Sequence, residues 1–312
     1  MTSRDYVKAA IEHRETDRVP FSISLCGETI ELMNEAVGKH VTSALVESDV
    51  ICIHPPWWNW YELGPDWQEM AAPTSPPKVI GYGSYKDFAD QAKAARDTGR
   101  YVLVNIWGSH FEKAYFSRSI ENFLADMAAE PAFARKLLNT IIEKNMVMLD
   151  NFLGIADIDG VMLGSDWGSQ VDLLMSPAVW EEMIRPGEQK EYDLIHGYGK
   201  NVWVHSCGNI EKALPSLVEM GLDVLNPVQP EAMDIAMLKR EYGEHLTFWG
   251  GISTQQTLPR GTPDEVRAET RRVRDMMSKG GGYILSPSQG IQDDVPLENI
   301  FALFEVAREK KR

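Results

Sequence analysis

Residues 201–209 read NVWVHSCGN. The apolar run Val202, Trp203, Val204 ending in His205, Ser206, Cys207 and Gly208 has the pattern of a short buried strand that delivers polar side chains at its end. Side chains alternate between the two faces of a strand, so His205 and Cys207 point the same way, two residues apart. An imidazole beside a thiol is half of a tetrahedral zinc site, and Gly208 lets the backbone turn directly afterwards. A buried cysteine next to a hydrogen-bonded histidine looks the same in sequence, so the pair's place in the fold has to decide.

Outward from that strand the chain keeps a regular rhythm. Downstream it predicts helix 210–220, strand 223–227, helix 231–242, strand 246–250, helix 262–279, strand 282–286 and helix 296–310. Upstream it predicts an amphipathic helix over 2–13 opened by a Thr2/Asp5 capping box, a strand over 18–25 and a turn at 26–28 leading into a helix to about 37. There follow a strand over 50–54, a helix over 85–98, a strand over 101–107, helices over 119–133 and 134–153, a strand over 159–163 and a helix over 176–199. Eight strands, each followed by helix and apolar throughout, require a sheet covered on both faces. In 312 residues they predict an α/β fold, a single-domain (β/α)8 TIM barrel over 1–312 with an N-terminal helix. An open doubly wound sheet fits less well, because no GxGxxG follows the first strand. After the second strand comes a long irregular segment, 55–85, carrying Trp57, Trp58, Trp60 and Trp67. These either plug one end of the core or wall a pocket for a flat or apolar ligand.

Composition narrows the function classes. A net charge of −15 with scattered cations repels phosphate backbones and anionic lipid, so neither nucleic acid nor a membrane surface is expected as a partner. Cys26, Cys52 and Cys207 lie far apart without a CxxC, the first residues are polar and charged, and no apolar run approaches a membrane span. A cytoplasmic protein is expected.

Function in such a barrel collects at the C-terminal ends of the strands. The sequence sets Cys26, His54, Trp107, Asp166, His205 with Cys207, Asn226 with Gln229, Trp249, and Ser288 with Gln289 at those ends. A catalytic zinc holds three protein ligands and leaves one place open, so a third ligand must come from another strand. Asp166 is the carboxylate candidate, Gln289 the neutral one and His54 a further choice; Asp166 has an equal reading as a structural loop cap.

Several segments matching in order carry a family resemblance: SRDYVKAAIEHRETDRVP (3–20), SDWGSQVDLLMSPAVWEEMIRP (165–186), VHSCGNI (204–210), LDVLNPVQP (222–230), LTFWGGISTQ (246–255) and GGGYILSPSQGIQDDVPLENI (280–300). Together they resemble the uroporphyrinogen decarboxylase superfamily of (β/α)8 barrels, which also contains zinc-dependent, cobalamin-linked methyltransferases. In the methyltransferase branch the zinc ligands are the histidine and cysteine of an HxCGN motif, matching His205 and Cys207, and a later cysteine in a segment like LSPGCG. Here that segment reads LSPSQG (285–290), with Gln289 in the cysteine's place. A glutamine oxygen is a harder, weaker donor than thiolate, so Asp166 supplies the third ligand, or the metal is weaker, different or absent. The decarboxylase branch carries an arginine-rich segment of the type RQAGRY for the carboxylates of its tetrapyrrole. The corresponding LCGETI (25–30) has no arginine and one acid, Glu28.

The resemblance therefore implies a methyltransferase moving a methyl group between a corrinoid such as methylcobalamin, carried by a separate protein, and a small-molecule acceptor. His205 and Cys207 would hold Zn2+, with Asp166 or Gln289 completing the site. Gln289 and Asn226 would position substrate, His54, Trp107, Gln229 and Trp249 would line the cavity, and the aromatic loop would close over it. Relatives suggest a homodimer. The alternatives are a metal-free decarboxylase of a tetrapyrrole carboxylate and a binder of corrinoid or tetrapyrrole without chemistry.

Overall fold

A strand whose two faces are both covered is buried along its whole length and mostly apolar, and four strands here are buried residue by residue: Gly160–Gly164, Val224–Val228, Thr247–Ile252 and Tyr283–Pro287. The computed structural model describes residues 1–58, 81–82, 84–155 and 157–311, with the backbone alone at 57–58 and 81–82. In chain order the elements are α1 (Ser3–Ile11), α2 (Gly27–Val37), α3 (Lys39–Leu45), β1 (Val50–Ile53), β2 (Trp57–Trp58), β3 (Gly81–Tyr82), α4 (Tyr85–Asp97) and β4 (Tyr101–Ile106). Next come α5 (His110–Arg118), α6 (Ile120–Ala129), α7 (Pro131–Leu153), β5 (Gly160–Gly164), α8 (Pro177–Val179), a π-helical turn (Trp180–Ile184), α9 (Arg185–Gly197) and β6 (Asn201–His205). The rest are α10 (Leu214–Met220), β7 (Val224–Val228), α11 (Ile235–Tyr242), β8 (Thr247–Ile252), α12 (Thr257–Arg260), α13 (Pro263–Met277), β9 (Tyr283–Pro287) and α14 (Leu297–Ala307). Hydrogen bonding sets β4, β5 and β6 side by side in chain order, likewise β7, β8 and β9, and β2 pairs with β3 antiparallel. Strand followed by helix, with sheet neighbours successive along the chain, is the (β/α)8 type of α/β fold.

The chain divides into two compact units. One comprises Cys52–Thr98 and Val102–Leu222. Its strands β4, β5 and β6 run parallel, in a register that pairs Leu103 with Gly160 and Gly164 with His205. Asp159 pins the start of β5: its Oδ2 accepts from Arg96 Nη1 at 2.7 Å and from the Val102 amide at 2.9 Å. The 23-residue α7 starts at Pro131, whose missing N–H costs nothing at a helix's first position.

The other unit comprises Met1–Ile51, Gly99–Tyr101 and Asp223–Arg312. Here β7, β8 and β9 run parallel, and residues 18–25 follow β9 through parallel bridges at Phe21–Leu285 and Leu25–Ile291. The expected first strand is thus present as an extended segment with isolated bridges. Pro20, with no N–H to donate, only accepts from Leu285 N at 2.8 Å. Arg18 grips Asp49 through two bonds of 2.6 Å, and Asp49 also accepts the Phe21 amide. The Thr2/Asp5 capping box of α1 forms as expected, and Thr262 with Glu265 builds a second on α13. Among the described residues no helix is long and apolar enough to cross a membrane.

Two local expectations are corrected. Residues 108–118 contain a helix, α5, that hydrophobic periodicity did not show, and the helix expected over 119–133 is α6 alone, ending at Ala129. The helix expected over 176–199 is interrupted by the π-turn Trp180–Ile184, next to Pro186, which lacks the N–H a regular ladder would use.

Candidate metal centre

The Gly164–His205 pairing sets the ends of β5 and β6 level, and the loops beyond them are laced together. Ser165 N donates to His205 O (2.8 Å), Trp167 N to Ser206 Oγ (3.0 Å), Asn209 N to Ser169 O (2.7 Å) and Cys207 N to Asp166 Oδ1 (2.8 Å). This lacing brings three side chains together: Cys207 Sγ lies 3.4 Å from His205 Nε2, which lies 3.8 Å from Asp166 Oδ1. All three are partly exposed, and their donor atoms lie within 4.8 Å of one another. Metal–ligand bonds of about 2.0–2.3 Å give tetrahedral edges of about 3.3–3.8 Å, so a thiol, an imidazole and a carboxylate at these separations fit Zn2+ with one place left open. Asp166 also caps the Cys207 amide, so the expected ligand and the expected loop cap are one residue.

Two glycines permit this lacing. Gly208 takes φ +79°, and a Cβ there would run into the Ser169 carbonyl; a Cβ on Gly168 would meet the Cys207 carbonyl. Gly208→Ala is expected to cost about 2 kcal/mol or more and to weaken metal binding by displacing Cys207, checked by urea unfolding and metal titration.

Beneath Asp166 lies a second acid. Glu112 on α5 is 4% exposed and accepts from the Tyr115 hydroxyl at 3.2 Å. Its Oε2 sits where a Cβ on Gly164 would be, 2.6 Å from that position, so Gly164 is the notch that admits it. Burial foremost, then the negative charge of Asp166, pushes the Glu112 carboxyl up to about 7. Burial first, then Glu112, Asp166 and Cys207, pushes the Tyr115 phenol up, which keeps it a phenol. Between pH 4.5 and 7 the folded chain therefore holds a proton that the unfolded chain has released. Stability falls as pH rises through that window. Glu112→Gln is expected to flatten this fall and to add about 1–3 kcal/mol at pH 8, measured by denaturant unfolding at pH 5 and 8.

Deeper still is a cluster with no exposed atoms to speak of. Glu191 accepts from Ser109 Oγ (2.7 Å) and Asn145 Nδ2 (2.9 Å), and Lys113 Nζ donates to Asn145 Oδ1 (3.1 Å) and to the Gly108 carbonyl. His110 Nδ1 faces Glu188 Oε1 at 3.2 Å while its Nε2 lies 3.2 Å from Ile184 O, the carbonyl that ends the π-turn. Ser165 Oγ reaches Glu188 Oε1 at 3.4 Å, joining the cluster to the residue beside Asp166.

The remaining expected residues fall into two groups. His54 and Trp107 belong to the same unit as the centre; with Asn105, Ile106 and Met148 they line a cavity of about 170 Å³, and His54 Nδ1 lies 3.2 Å from Asn105 O. Trp107 is 54% exposed and stacks at a tilt on Phe116, 5.2 Å between ring centres. Asn226, Gln229, Trp249 and Gln289 belong to the other unit. Asn226 Nδ2 donates to Trp249 O (3.2 Å), and the Trp249 indole donates to Ser22 O (3.0 Å). Gln229 is buried and Gln289 exposed. The aromatic loop expected to close the cavity, with Trp60 and Trp67, lies outside the described residues.

Sequence reasoning missed Glu112, Tyr115 and the His110 cluster. A usable signal was there: Gly108-Ser109 ahead of an acid at 112 reads as a helix start.

Comparison with known proteins adds to this geometry. The sequence model of uroporphyrinogen decarboxylase (URO-D) matches residues 108–310. The methylcobamide:CoM methyltransferase MtaA of Methanosarcina barkeri is 30% identical over 130 residues, covering 42% of this chain and 36% of that protein. The uroporphyrinogen decarboxylase of Methylococcus capsulatus is 22% identical over 217 residues, 67% of this chain and 60% of that protein. The chain thus spans between about a third and three fifths of the length of these relatives. A solved methyltransferase from Methanosarcina mazei superposes with a TM-score of 0.76 at 17% identity over 99% of both chains, which shows the fold.

Proposed function

The chain belongs to the uroporphyrinogen decarboxylase family, and within it we propose a zinc-dependent methyltransferase that moves a methyl group between a corrinoid on a partner protein and a small acceptor. The observation that carries this reading is the convergence of Cys207 Sγ, His205 Nε2 and Asp166 Oδ1 at the ends of β5 and β6. Likeness to MtaA supports it. A Zn2+ ion bound there supplies a positive charge that lowers the pKa of an acceptor X–H group, so that a nucleophile exists at neutral pH.

The chain's own residues do the rest. His205 at the end of β6 and Cys207 two residues beyond it would provide the neutral and thiolate donors, and Asp166 would bring the carboxylate while anchoring the Cys207 amide. The cavity lined by His54 and Trp107 offers an apolar wall with a histidine at its edge for the acceptor's body. The acceptor's X–H bond breaks with its electron pair staying on X and its proton passing to solvent. That pair forms the new bond to the methyl carbon, and the carbon–cobalt bond leaves its pair on the corrinoid.

The test is spectroscopic. Zinc-loaded protein is mixed with methylcobalamin and either 2-mercaptoethanol or a reduced pterin, and loss of the methylcobalamin spectrum is followed. Loss that depends on both protein and metal is expected; no loss with any acceptor would count against the reading. A metal-free decarboxylase is the second reading, favoured by a decarboxylase relative that matches two thirds of the chain. Turnover of a tetrapyrrole carboxylate that survives a chelator would establish it instead.

A further inference from the structure

Helices α5 and α9 carry a second set of metal-ligating side chains, His110, Glu188 and Glu191, wholly buried and with donor atoms within 4.8 Å of one another. Glu188 and Glu191 lie one turn apart on α9, so their side chains share a face. His110 opens α5, and Gly187 makes room for its ring, since a Cβ there would lie 2.9 Å from Nε2.

Hydrogen bonding fixes which atoms of this set can donate. Ile184 O only accepts, so His110 Nε2, 3.2 Å away, carries the ring's hydrogen and Nδ1 presents a lone pair. That lone pair faces Glu188 Oε1 at 3.2 Å and Glu191 Oε2 at 3.9 Å, both acceptors. Ser109 Oγ lies 3.4 Å from Nδ1, but its one proton goes to Glu191 Oε2 at 2.7 Å. Glu188 Oε1 takes a long bond from Ser165 Oγ (3.4 Å), while its Oε2, shut off from water, has no hydrogen-bond partner among the described residues. Three acceptors thus converge inside the protein, an arrangement that costs free energy unless a cation lies among them.

We propose that His110 Nδ1, Glu188 and Glu191 bind a divalent cation of the manganese type, which staples α5 to α9. A shared proton is the simpler cation, yet a proton joins two atoms, here Nδ1 and Glu188 Oε1, and leaves Glu188 Oε2 unserved. A metal ion takes a third ligand from Glu191 and can use both Glu188 oxygens. Metal–ligand bonds of about 2.1–2.2 Å set donors about 3.0–3.6 Å apart, so the 3.2 Å separation fits and the 3.9 Å one has only to close slightly. Two carboxylates with one imidazole suit Mn2+, whereas the Cys207 thiolate selects zinc at the other centre. Because the set is buried, its ion enters while the chain folds, and zinc given to the folded protein reaches only the partly exposed centre. The proposal is independent of the methyl-transfer reading.

The experiment counts manganese. Full-length chain is produced in cells grown with added Mn2+, purified without chelator and analysed by mass spectrometry. About one manganese per chain is expected in wild type and in the His205→Ala, Cys207→Ser variant, and about a tenth of that or less in Glu188→Gln. Glutamine keeps the shape and brings an N–H that can donate to His110 Nδ1, so this variant is expected to fold. Stripping the ion from wild type, with a chelator in urea below the unfolding transition, is expected to lower the urea midpoint, a readout that needs no variant. Manganese absent from wild type would leave a shared proton as the cation and overturn the proposal. Equal manganese in wild type and Glu188→Gln, manganese lost in the His205→Ala, Cys207→Ser variant, or a midpoint that chelation does not move would overturn it too.

Discussion

Glu191→Ala is expected to destabilise the chain by about 3–5 kcal/mol, while Glu191→Gln costs about 1 kcal/mol or less. The difference follows from what surrounds the carboxyl. Its two oxygens accept from Ser109 and Asn145, Asn145 in turn accepts from Lys113, and none of these side chains reaches water. Alanine removes both acceptors, opens a cavity and leaves Lys113 with no acid at the end of its hydrogen-bond chain. Glutamine keeps the shape and one acceptor and can satisfy Ser109 as a donor. Burial holds the Glu191 carboxyl above its ordinary range and Lys113 below its own. Urea unfolding at pH 7 measures both variants; an alanine variant as stable as wild type would mean that this network is not what holds α5 against α9.

Cys207→Ser is expected to lower zinc-dependent methyl transfer about a thousandfold or more with the fold unchanged. Cys207 is partly exposed, and its amide bond to Asp166 uses backbone, so serine preserves the lacing of the loops. What disappears is the thiolate. Asp166→Asn is expected to be gentler, about tenfold to a hundredfold in metal affinity, because the amide oxygen still caps Cys207 N–H while the negative charge is gone. Circular dichroism and unfolding midpoints matching wild type, alongside these losses, separate a metal-site effect from a folding effect.

The part of the centre that could be read in the sequence is the part encoded by short-range geometry. The two-residue spacing suggests His205 and Cys207 on one side, although β6 ends at His205 and Cys207 lies two residues beyond it; Asp166 likewise lies two residues past the end of the neighbouring strand, so the register of β5 against β6 brings it in. That Asp166 comes near the pair depends on that register, which periodicity does not contain. Helix α5 escaped for a physical reason. Its buried run His110–Ala114 mixes His110, Glu112 and Lys113 with Phe111 and Ala114, so the hydrophobic periodicity that marks an amphipathic helix is lost there. Residues 18–25 read as a strand because they are apolar and extended, yet Pro20 limits them to isolated bridges. Functional burial of charge and local loss of ladder hydrogen bonds are both departures from the pattern on which such a reading depends.

Metal content tests the account most directly. Full-length protein purified without chelator, supplied with zinc and then desalted, is analysed by mass spectrometry beside the His205→Ala, Cys207→Ser double variant. About one zinc per chain in wild type and little in the double variant is the predicted result. Zinc absent from the wild type, or retained undiminished in the double variant, would contradict a metal centre at Asp166, His205 and Cys207.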